Sequence, residues 1–217
     1  MREALVEVPR ERHTPLDAIL ESLRDAPVPL DRDGLATVSA FHAYACTFEA
    51  AGIGPGTRVL DLGAGTGYGT ALLSRMVGPS GFVRSVEIDP ALVEHGLVAL
   101  GHVSNGELVV GNAFEASAWE GGPWDAVVVG FCVDAIPALF LESLAGGVLV
   151  VPRKRAPGGS EQILVRIRVV DGRVEEEIVE RVIYGPARTS APVRALAEPV
   201  LANRANRDAR VRLPLVR

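Results

Sequence analysis

Cysteine is almost missing from this sequence: Cys46 and Cys132 are the only two. Neither belongs to a C-x-x-C pair or to His/Cys ligand spacing, which argues against a disulfide framework and a zinc site, so no metal is expected. Two ordinary thiols suit a reducing compartment. A basic excess is also lacking, since 22 Lys and Arg face 27 Asp and Glu for a net charge of −5. Counter-ion release at a nucleic-acid backbone needs cationic surface, so nucleic acid is not expected as a partner. No apolar run approaches the ~20 residues that span a bilayer, and the opening MREALVEVPRERH is charged where a secretory signal is apolar. No membrane partner is expected, and the cytoplasm is the expected location. With 48% hydrophobic residues and a mean hydropathy of +0.23, the 217-residue chain is too apolar for disorder and long enough for one substantial core.

What is present is a regular alternation. TRVLDL (57–62), GFVRSVEI (81–88), ELVVG (107–111), DAVVVG (125–130) and GVLVVP (147–152) read as buried strands. Tyr68 to Val77, Pro90 to Leu100 and Pro137 to Leu144 read as helices between them. This order predicts an α/β fold with a doubly wound, mostly parallel sheet, Rossmann-like in its winding. QILVRIRVV and RVEEEIVERVIY, joined at Asp171-Gly172, predict an antiparallel C-terminal hairpin on one edge.

Ahead of the core, Met1 to Val6 and Pro15 to Leu23 read as short helices, the second with Thr14 as N-cap and Pro15 at its first position. A loop covers Asp25 to Gly34. Ala40 to Ala51 reads as an amphipathic helix with Phe41, Tyr44 or Ala45, and Phe48 on one face, ended by Gly52. One domain is expected: a helical, substrate-side segment (1–52), the core and hairpin (53–189), and a tail (190–217) with a helix-like piece, a short apolar end and no assigned role.

The strongest chemical signal is VLDLGAGTGYG (59–69). Gly63, Gly65 and Gly67 follow a strand and open a helix, where backbone without side chains passes close to a nucleotide-like ligand. Glu87 ends the next strand, where a carboxylate can accept from both hydroxyls of a ribose. The spacing is G-x-G-x-G, and Tyr68 and Thr70 prevent any G-x-G-x-x-G, which argues against NAD. A helix N-terminus suits pyrophosphate, whereas S-adenosylmethionine carries a sulfonium and no phosphate, and a loop flanked by Asp61 and Glu87 suits that cation. S-adenosylmethionine is therefore the expected cofactor. The plainer reading, a tight βα turn, does not account for Glu87.

These segments resemble, in order, the protein-L-isoaspartate O-methyltransferase family. So do SRMVGPSGFVRSVEIDPALV (74–93), VVGNAFE (109–115), PWDAVVVG (123–130), AGGVLVVP (145–152), MREALVEVPRE, DAPVPL (25–30) and VIYGPARTS (182–190). The most specific part is ATVSA, because the glycine motif occurs across many methyltransferases. The family's A-T-[IV]-S-x-P signature is matched by Ala36, Thr37, Val38 and Ser39. The resemblance implies that Ser39 stands at the reacting carboxylate, that Ala36 to Ser39 line the cofactor, that Gly63 to Gly67 and Glu87 hold it, and that Asn112 and Ala113 lie beside the adenine. Departures are Phe41 for the family's proline, Asn112 for its aspartate, and Gly130-Phe131-Cys132 for a Gly-Ala-Ala run.

The implied reaction is attack of a carboxylate oxygen on the sulfonium methyl. A carboxylate is already ionised at neutral pH, with a reference pKa of ~4, so positioning rather than a strong base carries the step. Ser39 and Thr37 are the catalytic candidates, as hydroxyls that hold one oxygen and aim the other. By residue type alone, Ser39 reads first as an N-cap of the following helix; the resemblance reverses that order, and the two roles are compatible. His42 reads as a half-buried helix residue and Cys132 as a small packed hydrophobe. Arg153, Lys154 and Arg155 read as a solvated loop or as an attractant for acidic peptides, with Phe131 and Phe41 shaping the acceptor pocket. The acceptor is an isoaspartyl or aspartyl carboxylate of a protein or peptide. Repair of damaged proteins, tailoring of one ribosomal peptide, and a non-catalytic adenosylmethionine-binding module remain open at this level.

Overall fold

The computed structural model describes residues 1–101, 103–144 and 146–190. The tail beyond them, including its expected helix-like piece, lies outside the described residues. Helix α1 (Arg2–Glu7), 3₁₀ turns at Arg10–His13 and Leu16–Ala18, and helix α2 (Ile19–Ser22) open the chain. The single helix expected over 15–23 is therefore a 3₁₀ turn followed by one α turn. Thr14 does not cap it, because its hydroxyl donates back to the Glu11 carbonyl at 3.2 Å. Leu16, Leu20 and Leu23 stay exposed, so no buried apolar face lengthens the helix.

Inside the expected loop and the ATVS segment, two-residue strands β1 (Val28–Pro29) and β2 (Thr37–Val38) pair antiparallel. Helix α3 (Phe41–Ala50) follows, with Ala40 in the N-cap position and no side-chain cap from its neighbours. The cap comes from a distance: Asp25 Oδ1 accepts from the His42 backbone N–H and pairs with His42 Nδ1, both at 3.0 Å. That backbone donor is the main cause holding the Asp25 carboxyl below its ordinary range. The apolar face of α3 packs as its spacing predicts, with Tyr44 ring centroids 5.7 Å from Phe48 and 5.3 Å from Tyr68.

The core then alternates: β3 (Arg58–Leu62), α4 (Tyr68–Val77), β4 (Phe82–Glu87), α5 (Pro90–Leu100), β5 (Gly106–Val110), β6 (Ala126–Val129), α6 (Ala138–Glu142), β7 (Val148–Lys154), β8 (Gln162–Val170) and β9 (Arg173–Val182). Asp89 caps α5 by accepting from Ala91 N–H at 3.0 Å, with Pro90 next to it. The strand order is β5-β4-β3-β6-β7-β8-β9, parallel through β7 and antiparallel for β8 and β9. Asp171 and Gly172 have φ of 51° and 72°, the left-handed pair that a two-residue hairpin turn requires. β7 runs on to Lys154, opposite Gln162, so Arg153 and Lys154 belong to a strand rather than to a loop.

Strand alternation fills both faces of the sheet. Val59, Val83, Val128 and Val150 meet Phe48, Tyr68, Leu72 and Leu73 on one face, while Leu60, Leu62, Val127 and Leu149 meet Trp119, Trp124 and Phe140 on the other. Asp61 interrupts the first face, and buried hydroxyls answer it: Thr70 Oγ1 at 3.4 Å and Ser85 Oγ at 3.3 Å. Because β3 lies where the strand order reverses, the carboxyl ends of β3, β4 and β6 open onto a common crevice. Among the described residues no helix is long and apolar enough to cross a membrane.

Candidate active site

The chain leaves β3 into a loop that buried strands hold from behind. Gly63 N–H and Ala64 N–H donate to the Val86 carbonyl at 2.8 and 3.2 Å. Gly65 N–H donates to Glu87 Oε2 at 2.8 Å, and Glu87 Oε1 accepts from Asp89 N–H at 2.9 Å. Gly63 and Gly65 have φ of +84° and +59°, which L side chains rarely adopt. A Cβ on Gly63 would come within 2.7 Å of the Phe131 ring, which lies across the loop. Burial pushes the Glu87 carboxyl upward, opposed by those backbone donors. Below the loop, burial pushes the Asp61 carboxyl up to about 7.

The opposite wall is the 22–42 segment. Asp31 accepts from Leu35 and Ala36 N–H at 2.9 and 3.0 Å, and Arg188 pairs with it at 3.3 Å. A third wall follows β9. There the Gln162 side chain grips both backbone groups of Tyr184, accepting at 2.7 Å and donating at 3.2 Å, and the Tyr184 hydroxyl meets Thr47 Oγ1 at 3.2 Å. Together these walls enclose a cleft of about 590 Å³, within the ~300–1,000 Å³ range of small-molecule and cofactor sites. A small recess, lined by Thr37, Ser39, Tyr44, Asp61 and Tyr184 among others, opens beside it.

Of the residues singled out in the sequence, Ala36, Thr37, Ser39, Gly63, Gly65, Glu87, Ala113 and Phe131 line the cleft. Five others do not. Val38 is 2% exposed and packs into the core, as strand alternation between Thr37 and Ser39 dictates. Gly67 stands behind the loop as the N-cap of α4, against Leu100 and Leu108. Asn112 turns its side chain to its own backbone and neighbours: Oδ1 accepts from Phe114 N–H at 3.1 Å, and Nδ2 donates to Glu115 and the Thr189 carbonyl at 3.3 Å each.

Phe41 is the fourth, with its ring under the Arg10 guanidinium at 4.8 Å and beside Tyr68 at 6.4 Å. Arg153, the fifth, pairs with Glu176 and donates to the Lys154 carbonyl at 2.7 Å. Arg155 pairs with Glu161 at 3.4 Å. Cys132 is buried, and burial raises its thiol pKa. No group of three or more potential metal ligands occurs among the described residues.

Sequence reasoning missed several cleft residues. His42 is exposed on the rim rather than half-buried, and its partner is Asp25. Tyr184 and Arg188 lie in VIYGPARTS, a segment marked only by resemblance. Arg10 does not touch the cleft, yet it donates to the Val38 and Ser39 carbonyls at 2.9 and 2.7 Å.

A doubly wound sheet with an antiparallel end, and a glycine loop bonded to Glu87 in the cleft at the carboxyl ends of the strands, go with a Rossmann-like, S-adenosylmethionine-dependent methyltransferase. The model of the family "Protein-L-isoaspartate(D-aspartate) O-methyltransferase" matches residues 1–191, and the chain belongs to that family. A protein-L-isoaspartate O-methyltransferase from Ignicoccus hospitalis is 34% identical over 169 residues, covering 76% of this chain and 77% of the relative. One from Pyrobaculum neutrophilum is 31% identical over 193 residues, with 88% and 91% covered. A Plasmodium falciparum crystal structure, in complex with S-adenosyl-L-homocysteine, matches the fold at a TM-score of 0.74 and 20% identity, over 87% of this chain and 89% of that one.

Proposed function

We propose that this methyltransferase transfers the methyl group of S-adenosylmethionine to a carboxylate oxygen of isoaspartyl residues in proteins and peptides, in the service of repair. The observation that carries the reading is that Thr37 and Ser39 line the same cleft as Gly63, Gly65 and Glu87. Donor and acceptor are thereby brought to one place. When bound, the cofactor supplies an electrophilic methyl on a sulfonium. Glu87 keeps acceptor capacity on both oxygens beyond its bonds to Gly65 and Asp89, enough for two ribose hydroxyls. Ala113 and Ile88 give the adenine side an apolar lining.

On the acceptor side no general base is needed, because the nucleophile is already an anion. Ser39, with Thr37 beside it, donates to one carboxylate oxygen and leaves the other free to attack in line. Ser39 is available for this because Asp25 supplies the helix cap that Ser39 could otherwise have formed. A dry cleft strengthens such donation. Of the two aromatic departures that argue for a specialised acceptor, Phe41 does not line the cleft, which weighs towards repair, whereas Phe131 does, which weighs towards the tailoring of one peptide. Two unpaired thiols, Cys46 and Cys132, fit work in the cytoplasm.

The test is methyl transfer by purified protein to matched isoaspartyl and aspartyl peptides of several unrelated sequences. Transfer to every isoaspartyl member and to no aspartyl member is the expected result. Activity confined to one sequence would mean tailoring, and cofactor binding without turnover would mean a sensor; either would overturn the reading.

A further inference from the structure

Between the end of α2 at Ser22 and the start of α3, segment 22–40 holds only a two-residue ribbon of regular structure. A ribbon that short does not fix its own position in water. What the structure provides instead is Arg10, 3% exposed and outside the cleft lining. Its NH1 donates to the carbonyls of Ser22 and Arg24 at 3.2 and 2.9 Å. Its NH2 donates to those of Ala26, Val38 and Ser39 at 2.7, 2.9 and 2.7 Å. All five acceptors are backbone carbonyls, so the guanidinium collects main chain from both ends of the segment. Phe41 closes over its face. Lysine keeps the charge but donates from a single atom, and cannot serve so wide a fan of acceptors.

Three residues further along the same 3₁₀ turn, His13 is joined to the cofactor side. Its Nδ1 lies 2.7 Å from the Thr66 carbonyl, and Thr66 Oγ1 donates to the His13 carbonyl at 2.7 Å. One turn of chain, remote from the chemistry, thus grips the backbone of Ser39 at one end and the glycine loop at the other.

We infer that Arg10 is a positioning residue for methyl transfer: through the Val38 and Ser39 carbonyls it sets where the Ser39 hydroxyl stands relative to the cofactor loop. The inference rests on the proposed role of Ser39. Misplacement of a reacting group by about 1 Å costs on the order of 100-fold in rate, which sets the expected size. In the full chain, Arg10→Lys is expected to keep its far-ultraviolet circular dichroism and to hold its adenosylmethionine Kd within about twofold, while kcat on an isoaspartyl peptide falls on the order of 100-fold. With Ser39→Ala already present, the same substitution is expected to cost less than about threefold, because the two act on one step.

A kcat within about twofold of wild type, or full additivity with Ser39→Ala, would overturn the inference. A cofactor Kd that weakens in proportion to kcat would do the same, since it would mean general collapse of the site. Ser39→Ala alone without effect would instead overturn the role of Ser39. If Arg10→Lys does not fold, Arg10→Gln, whose amide still reaches a carbonyl, is put through the same cycle with the same expected and overturning results.

Discussion

The glycine loop is secured by its sequence neighbours and by the strand beside it: Gly63 and Ala64 on Val86, Gly65 on Glu87, Gly67 opening α4. The wall facing it, the proposed acceptor side, is secured by single side chains reaching across long stretches of chain. Arg10 holds Val38 and Ser39, Asp25 caps α3 through His42, and Asp31 pins Leu35 and Ala36. The bonds from Gly63 and Ala64 run between main-chain groups and survive the removal of a side chain, with Glu87 the side chain on which the loop leans. A wall made of long-range side-chain bonds depends on a few atoms, and each can be removed separately.

Substitutions on the two walls should therefore separate cofactor affinity from turnover. Glu87→Ala removes two charge-assisted acceptors, each worth about 1.5–3 kcal/mol, and leaves Gly65 and Asp89 N–H without their partner. Its adenosylmethionine Kd, read by calorimetry, should rise on the order of 100-fold or more. Ser39→Ala should lower kcat on isoaspartyl peptides about 10- to 100-fold while changing that Kd less than about twofold. If the two effects were interchanged, the assignment of the walls would be reversed.

Protonation sharpens the comparison from behind the cofactor wall. Burial lowers the His13 pKa to about 4, against an ordinary value of 6.5. The unfolded chain then binds the proton first as pH falls, so the neutral folded form loses stability from about pH 6.5 down to about 4. Between pH 7 and pH 5 the loss is about 2 kcal/mol. Asp61, raised to about 7, has the opposite sign, its folded form losing stability as pH climbs from the ordinary 3.8 through 7. The measurement is therefore the difference between wild type and His13→Phe in urea unfolding at the two pH values. That difference should change by about 2 kcal/mol, and a constant difference would remove His13 from the account.

Smaller effects complete the series. Asp25→Ala deletes the remote cap of α3 and should cost about 1 kcal/mol of stability in urea unfolding. Arg153→Ala breaks a pair with Glu176 away from the cleft, and kcat/KM for acidic and neutral peptides should stay within about twofold of wild type.

The same contrast explains how much could be read from the sequence. α4 and α5 begin and end where the pattern places them, because Gly67 and Asp89-Pro90 mark their starts and apolar periodicity runs to their ends. The hairpin turn was visible in Asp171-Gly172. The two-residue strands β1 and β2 were not, since nothing so short carries a period. The family signature groups Val38 with Thr37 and Ser39, whereas alternation of faces along an extended ATVS sets it apart from both. Arg10, Asp25 and Gln162 leave no local trace at all, because a side chain that bonds backbone many residues away gives no periodic signal at either end.

Gln162 also bears on the order in which the site comes into being. The glycine loop and the acceptor segment leave the ribosome early, while the wall that Gln162 fastens through Tyr184 follows β9, close to the end of the described chain. Closing it joins segments far apart in sequence, the slowest kind of contact to form. A nascent chain therefore carries the residues of the glycine loop well before it can close the cleft, and competence for methyl transfer waits until the segment that follows β9 has been made.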